Sequence, residues 1–128
     1  MRLLLDTHIF IWWNNSPLLL PQQIYALCMD PKNALILSLA SIWEMQIKVQ
    51  QKKLIFAESL ETLITRQINQ NGLELLNITP EHIFALDTLP PIHKDPFDRL
   101  LIAQSKHEHI QLISVDSVFE KYGITTKY

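Results

Sequence analysis

Four short runs of consecutive apolar residues alternate with longer stretches in which apolar positions recur every three or four residues. The short runs are Arg2–Asp6 (RLLLD), Ala34–Ser38 (ALILS), Leu73–Ile78 (LELLNI) and Ile110–Val115 (IQLISV). A strand covered on both faces reads this way, because neither of its alternating faces meets water. Between them lie Ile42, Met45 and Val49, then Leu60, Leu63 and Ile64, and later Leu100, Leu101 and Ala103, spaced to line one face of a helix. Short apolar strands alternating with such helices predict an α/β fold, a parallel β-sheet sandwiched between α-helices. Prolines supply the punctuation. Pro17 and Pro21 bracket a turn or helix start, Asp30-Pro31 marks another, Thr79-Pro80 gives an N-cap with proline at the first helical position, and Pro90-Pro91 ends that helix.

The 128 residues make one domain, 1–128, with no repeat and no Gly/Ser linker to divide it. Apolar residues at 48% and charged ones at 19% exclude disorder and low complexity. The single cysteine, Cys28, cannot close an internal disulfide; it fits a reducing compartment and reads as a small buried hydrophobe. The segment MRLLLDTHIFIWW is apolar, yet Asp6 and His8 interrupt it and no small-residue cleavage site follows, so neither a secretory leader nor a membrane span is expected. A cytoplasmic chain with no membrane partner is the expectation. Its formal net charge of −2 lacks the basic footprint of an avid nucleic-acid binder and counts against such a partner.

The acids change that picture. Asp6 ends the first apolar run and Asp116 directly follows the last, so both fall at strand carboxyl ends, where open parallel sheets bind ligands. Glu44 is expected in the first turn of the helix after the second strand, and Asp98 in the first turn of the helix before the last. Each also has a structural account. Ser41-x-x-Glu44 reads as a capping box. Asp95-Pro96-Phe97-Asp98 reads as an N-cap, a proline at the first helical position and an acid favoured by the helix dipole. Asp116 could cap a short helix after it. Asp6 has the weakest such account, since a carboxylate ending a buried strand has little structural purpose. Two carboxylates about 4 Å apart repel by roughly 4 kcal/mol at an effective dielectric near 20. Four in one crevice therefore take up protons or recruit a cation. An all-oxygen set selects Mg²⁺ or Mn²⁺ over zinc, and such a site suits phosphodiester hydrolysis. His107-Glu108-His109 offers no rival, because histidines two apart do not share a helix face and near a helix C-terminus they complement its dipole.

The segments LLLDTHIFIWW, SLASIWEMQIKVQQKKL, HKDPFDRLLIAQS and LISVDSVFEKYG occur in the order and spacing of PIN-domain proteins. Across essentially its whole length the chain most resembles the bacterial toxins of VapBC-type toxin–antitoxin pairs. That resemblance implies an α/β/α sandwich and Mg²⁺- or Mn²⁺-dependent endoribonuclease cleavage of RNA, with Asp6, Glu44, Asp98 and Asp116 in the family's acidic positions as metal ligands. It also implies a homodimer and a cognate antitoxin whose C-terminal segment lies across the active-site groove. A bound cation would answer the objection from net charge, being the largest local charge in the site. Thr7 and Ser114 adjoin the acids, either as hydrogen-bonders to them or as ordinary strand-end polar residues. His8 is read as structural, and His93 as orienting the Asp95–Asp98 turn. Lys48, Lys52, Lys53 and Arg99 are candidates for phosphate contacts, with a solvated helix face the preferred reading of the lysines. Trp12, Trp13 and Trp43 are read as core or dimer packing rather than base-stacking platforms. Two other functions are weighed. A non-catalytic PIN-like interaction module is disfavoured by the intact set of acids. A phosphohydrolase with Asp6 as nucleophile is disfavoured because Asp6-Thr7-His8 lacks a second aspartate and no lysine motif follows.

Overall fold

The computed structural model describes residues 1–123. Its strands are β1 (Arg2–Leu5), β2 (Ala34–Ser38), β3 (Glu74–Leu76) and β4 (Gln111–Ile113), all parallel in one sheet of order β3-β2-β1-β4. The helices are α1 (Thr7–Asn15), α2 (Gln22–Met29), α3 (Leu39–Gln50), α4 (Leu60–Asn71), α5 (Pro80–Ala85) and α6 (Pro96–Glu108), with short 3-10 turns at Pro17–Leu19, Leu86–Thr88 and Ser117–Tyr122.

The continuous apolar runs follow from what covers the sheet. Successive side chains of a strand point to opposite faces. Leu3, Leu5, Leu35 and Leu37 meet Ile9 and Phe10 of α1, Ile24 of α2, Met45 of α3 and Leu63 of α4. Leu4, Ile36 and Leu112 meet Leu101 and Ile102 of α6, with Phe119 and Tyr122 from the last 3-10 turn. Two cores on two faces make the α/β/α sandwich expected from the pattern, and each fully buried leucine contributes about 2 kcal/mol. Trp12 and Trp13 pack half-buried on the first core, as expected. Cys28 is buried there too, and burial pushes its thiol up to about 11.

Three local expectations need correction. The run Leu73–Ile78 is a strand only over Glu74–Leu76, and it is an edge strand rather than a doubly covered one. Glu74 and Leu75 are exposed, and Glu74 pairs with Arg2 at 3.2 Å. The capping box at Ser41 does not form. Ser38 caps α3 instead, its Oγ accepting from the Ala40 N–H at 3.0 Å, because β2 runs directly into the helix. Ser41 therefore faces Thr7, whose hydroxyl donates to it at 2.9 Å, and Glu44 moves into the second turn. Of the two packing roles expected for Trp43, core or dimer, the core one does not hold: it is 60% exposed, its ring edge-on to Phe97 with centroids 5.2 Å apart.

The other caps form as expected. Asp95 accepts from the N–H groups of Phe97 (2.8 Å) and Asp98 (3.2 Å), with Pro96 leading the helix. Thr79 accepts from His82 N–H at 3.3 Å, and Asp116 from Val118 N–H at 3.0 Å.

Candidate active site

Strand order departs in opposite directions from β1, to β2 on one side and β4 on the other. The carboxyl ends of β1 and β4 thus flank the kind of crevice where open parallel sheets bind ligands. Asp6 leaves β1 there. Its backbone N–H donates to the Ile113 carbonyl at 2.9 Å, which ties it to the end of β4. Its carboxylate is 2% exposed. Oδ2 accepts from the Ser114 hydroxyl at 2.8 Å. Oδ1 accepts from nothing. Glu44 arrives from α3, 6% exposed, with Oε2 at 3.3 Å from Lys48 Nζ and Oε1 without a partner. Asp6 Oδ1 and Glu44 Oε1 are the buried side-chain oxygens left unpaired among the described residues.

Asp98, in the first turn of α6, stands half-buried beside them, and its Oδ2 lies 2.7 Å from His93 Nε2. A carboxylate only accepts, so the proton of this pair sits on Nε2. Asp116 is exposed, and one of its oxygens lies within 4.8 Å of ligand atoms of both Asp98 and His93.

The carboxylates act on one another's charge. The Asp6 carboxyl is raised from 3.8 to about 6: burial is the largest cause, the Asp98 charge adds to it, the Ser114 hydroxyl and His8 oppose the rise, and Glu44 contributes a little more. Asp98 is likewise raised, chiefly by burial, against the lowering effect of the His93 hydrogen bond, with Asp95 and Glu44 contributing repulsion. The fold thus brings Asp6, Glu44 and Asp98 into mutual repulsion and sets Asp116 at their rim. Three buried or half-buried carboxylates that act on one another's charge, two of them with an orphaned oxygen, supply hard-oxygen donors that could hold a cation.

Of the polar neighbours, Ser114 bonds Asp6 directly, whereas Thr7 acts one step away through Ser41. His8 is exposed on α1. Lys48 is paired to Glu44 across one helical turn. Arg99 is not free to meet phosphate. Its guanidinium donates to the carbonyls of Pro90 (3.0 Å), Leu86 (3.3 Å) and His93 (3.4 Å).

One cluster escapes sequence reasoning. His82, fully buried on α5, brings its ring to His107 and Glu108 at the end of α6. Its Nδ1 accepts from the Thr79 N–H at 3.1 Å, so the proton resides on Nε2 and goes to Glu108 Oε1 at 2.8 Å. No lone pair remains for a metal, and the group is a helix-to-helix clasp. The pairing joins positions 26 apart in sequence, although His82 three residues after Thr79 is itself a capping-box spacing.

A family model described as PIN domain matches residues 3–124. Among solved structures, the chain is similar to VapBC2 from Rickettsia felis bound to a DNA fragment from its promoter, at 18% identity and a TM-score of 0.72, covering 99% of this chain and 98% of that one. It is similar to FitAcB from Neisseria gonorrhoeae at 15% identity and 0.65, covering 98% and 96%. It is also similar to a toxin–antitoxin complex from Klebsiella pneumoniae at 19% identity and 0.62, covering 98% and 97%. At these identities the likeness is one of fold. No curated protein matches the chain.

Proposed function

The chain belongs to the PIN-domain family, and on that footing we propose that it is a divalent-metal-dependent endoribonuclease, the toxin half of a VapBC-type pair. The observation that carries this reading is the pair of orphaned buried oxygens, Asp6 Oδ1 and Glu44 Oε1, in a crevice shared with Asp98. A buried carboxylate oxygen without a partner is costly, and two of them on carboxylates that act on each other's charge suit a bound positive charge. The donor set fits Mg²⁺ or Mn²⁺, with Asp6, Glu44, Asp98 and Asp116 as the residues that would hold it. When bound, such an ion supplies charge that acidifies a water molecule and offsets the negative charge of a phosphodiester.

The chain's own groups do the remaining work. Ser114 fixes one oxygen of Asp6 and leaves the other open. Asp95 caps α6 so that Asp98 enters the crevice as the third residue of the helix. Exposed Asp116, near Asp98, adds a carboxylate at the solvent side of the site. With Lys48 neutralised by Glu44 and Arg99 bonded internally, the phosphate chain of RNA would be held mainly by the ion rather than by a basic patch. An antitoxin is one proposed protein partner, a reading supported by the toxin–antitoxin complex among the structural neighbours; a second copy of the chain is the other, proposed on the family resemblance alone. The proposed place of action is the cytoplasm; among the described residues no helix is long and apolar enough to cross a membrane.

The test is cleavage of single-stranded RNA by purified protein with Mg²⁺ or Mn²⁺, with EDTA, and with Asp6→Asn. Metal-dependent cleavage that EDTA and the substitution abolish is expected. Identical traces from wild type and Asp6→Asn would leave a non-catalytic interaction module as the better reading.

A further inference from the structure

The stretch Pro90–Asp95 leads into α6 with no regular structure of its own, yet it is held from two sides. The Tyr122 hydroxyl, 4% exposed in the second core, donates to the Pro90 carbonyl at 2.8 Å. The same oxygen accepts from the N–H groups of His93 (2.8 Å) and Ile92 (3.1 Å). Arg99, from the first turn of α6, donates to the carbonyls of Pro90 and His93. The His93 ring stands edge-on to Phe119, centroids 6.4 Å apart and planes at 89°, so the second core limits its tilt as well as its place. All of this presents Nε2 to Asp98 Oδ2 at 2.7 Å.

We propose that His93 is a positioning residue for the cation site: its Nε2–H holds Oδ2 of Asp98 and so fixes the carboxylate that would help Asp6 and Glu44 hold an ion, while Tyr122 and Arg99 act through it. The inference rests on the metal-dependent reading above. It goes beyond it by assigning work to a residue that is not an acid and to the C-terminal 3-10 turn that carries Tyr122. The rival role is direct ligation, since His93, Asp98 and Asp116 offer atoms within 4.8 Å of one another. Hydrogen-bond geometry favours positioning. A nitrogen 2.7 Å from an ionised carboxylate oxygen carries a proton there and has no lone pair aimed at a cation. Partners that orient a metal-binding group in this way typically alter metal affinity about 10- to 100-fold when removed.

The test titrates Mn²⁺ into the full chain and follows free ion by electron paramagnetic resonance, comparing wild type with His93→Ala, His93→Gln and Asp98→Asn, each checked for cooperative thermal unfolding. Glutamine can place its amide nitrogen where Nε2 stands. The expected result is Mn²⁺ affinity about 10- to 100-fold weaker in His93→Ala and restored to within about threefold in His93→Gln. Electron spin-echo modulation of bound Mn²⁺ should show no imidazole nitrogen in wild type. Equal affinities for wild type and His93→Ala would overturn the proposal, as would failure of glutamine to rescue. A nitrogen coupling present in wild type and absent in His93→Ala would overturn it in favour of ligation. In those three outcomes wild type still binds the ion and the proposed function stands; wild type that binds no Mn²⁺ would overturn both.

Discussion

Replacing Asp6 with asparagine should stabilise the metal-free protein at neutral pH while removing the residue on which the proposed activity most depends. Asp6 is 2% exposed with one oxygen unpaired. Burial, and then the Asp98 charge, lift its carboxyl from 3.8 to about 6. The sign follows from proton linkage. Between these two values the folded chain holds more protons than the unfolded one, so stability falls as pH rises through that window and the penalty is complete above it. That rise corresponds to roughly 3 kcal/mol, or about 10 °C of melting temperature for a domain of this size. Asparagine keeps the shape, and its amide oxygen can still accept from Ser114. Its NH₂ would occupy the orphaned Oδ1 position, where the neighbouring carboxylates offer acceptors. The assay is thermal unfolding in EDTA from about pH 5 to about pH 8. Asp6→Asn should melt several degrees above wild type at the alkaline end, with the gap closing toward the acid end, and Mn²⁺ should raise the melting point of wild type only. A variant less stable than wild type near pH 8, or a gap indifferent to pH, would refute the reasoning.

Asp95→Ala should cost about 1 kcal/mol in urea denaturation, as lost N-caps do, and should also lower RNA cleavage, because the turn that carries Asp98 loosens; unchanged stability would contradict the cap. Ser114→Ala removes the one hydrogen bond that lowers the Asp6 carboxyl, so the pH profile of Mn²⁺ binding, read by calorimetry, should move to higher pH. His82→Ala should destabilise by about 2–4 kcal/mol through loss of a buried ring and two hydrogen bonds, whereas any rise in melting with Zn²⁺ should be the same in wild type and His107→Ala; a rise that His107→Ala removes would mean that His82 is not committed to Thr79 and Glu108.

Much of this architecture was legible in the sequence because burial on both faces leaves a direct mark. Leu3–Leu5 and Leu35–Leu37 are uninterrupted for the reason the two cores reveal. Asp95 and Asp98 show the same directness: an N-cap before proline followed by an acid one turn in describes a local geometry that tertiary packing did not override. Errors arose where the local signal had two solutions. Ser38 and Ser41 can each cap a helix, and only the direct run of β2 into α3 selects Ser38. Leu73–Ile78 carries apolar residues suited to a covered strand, but position at the sheet edge is a property of topology. Arg99 reads as available for phosphate in the sequence because its partners are mostly backbone carbonyls, with the distant Tyr122 hydroxyl, which no side-chain pattern reveals. The clasp of His82 with Glu108 and the hold of Tyr122 on Ile92 and His93 join residues 26 to 30 positions apart, beyond the reach of periodicity.

The central claim is that this crowd of carboxylates is arranged for a divalent cation, and calorimetric titration with Mn²⁺ tests it most directly. Near pH 6, where Asp6 is half protonated, binding should release about half a proton per ion, because a carboxyl must ionise to become a ligand. The release should vanish near pH 8 and, with most of the affinity, in Asp6→Asn. Absence of binding by wild type, or binding that Asp6→Asn leaves intact, would contradict the account.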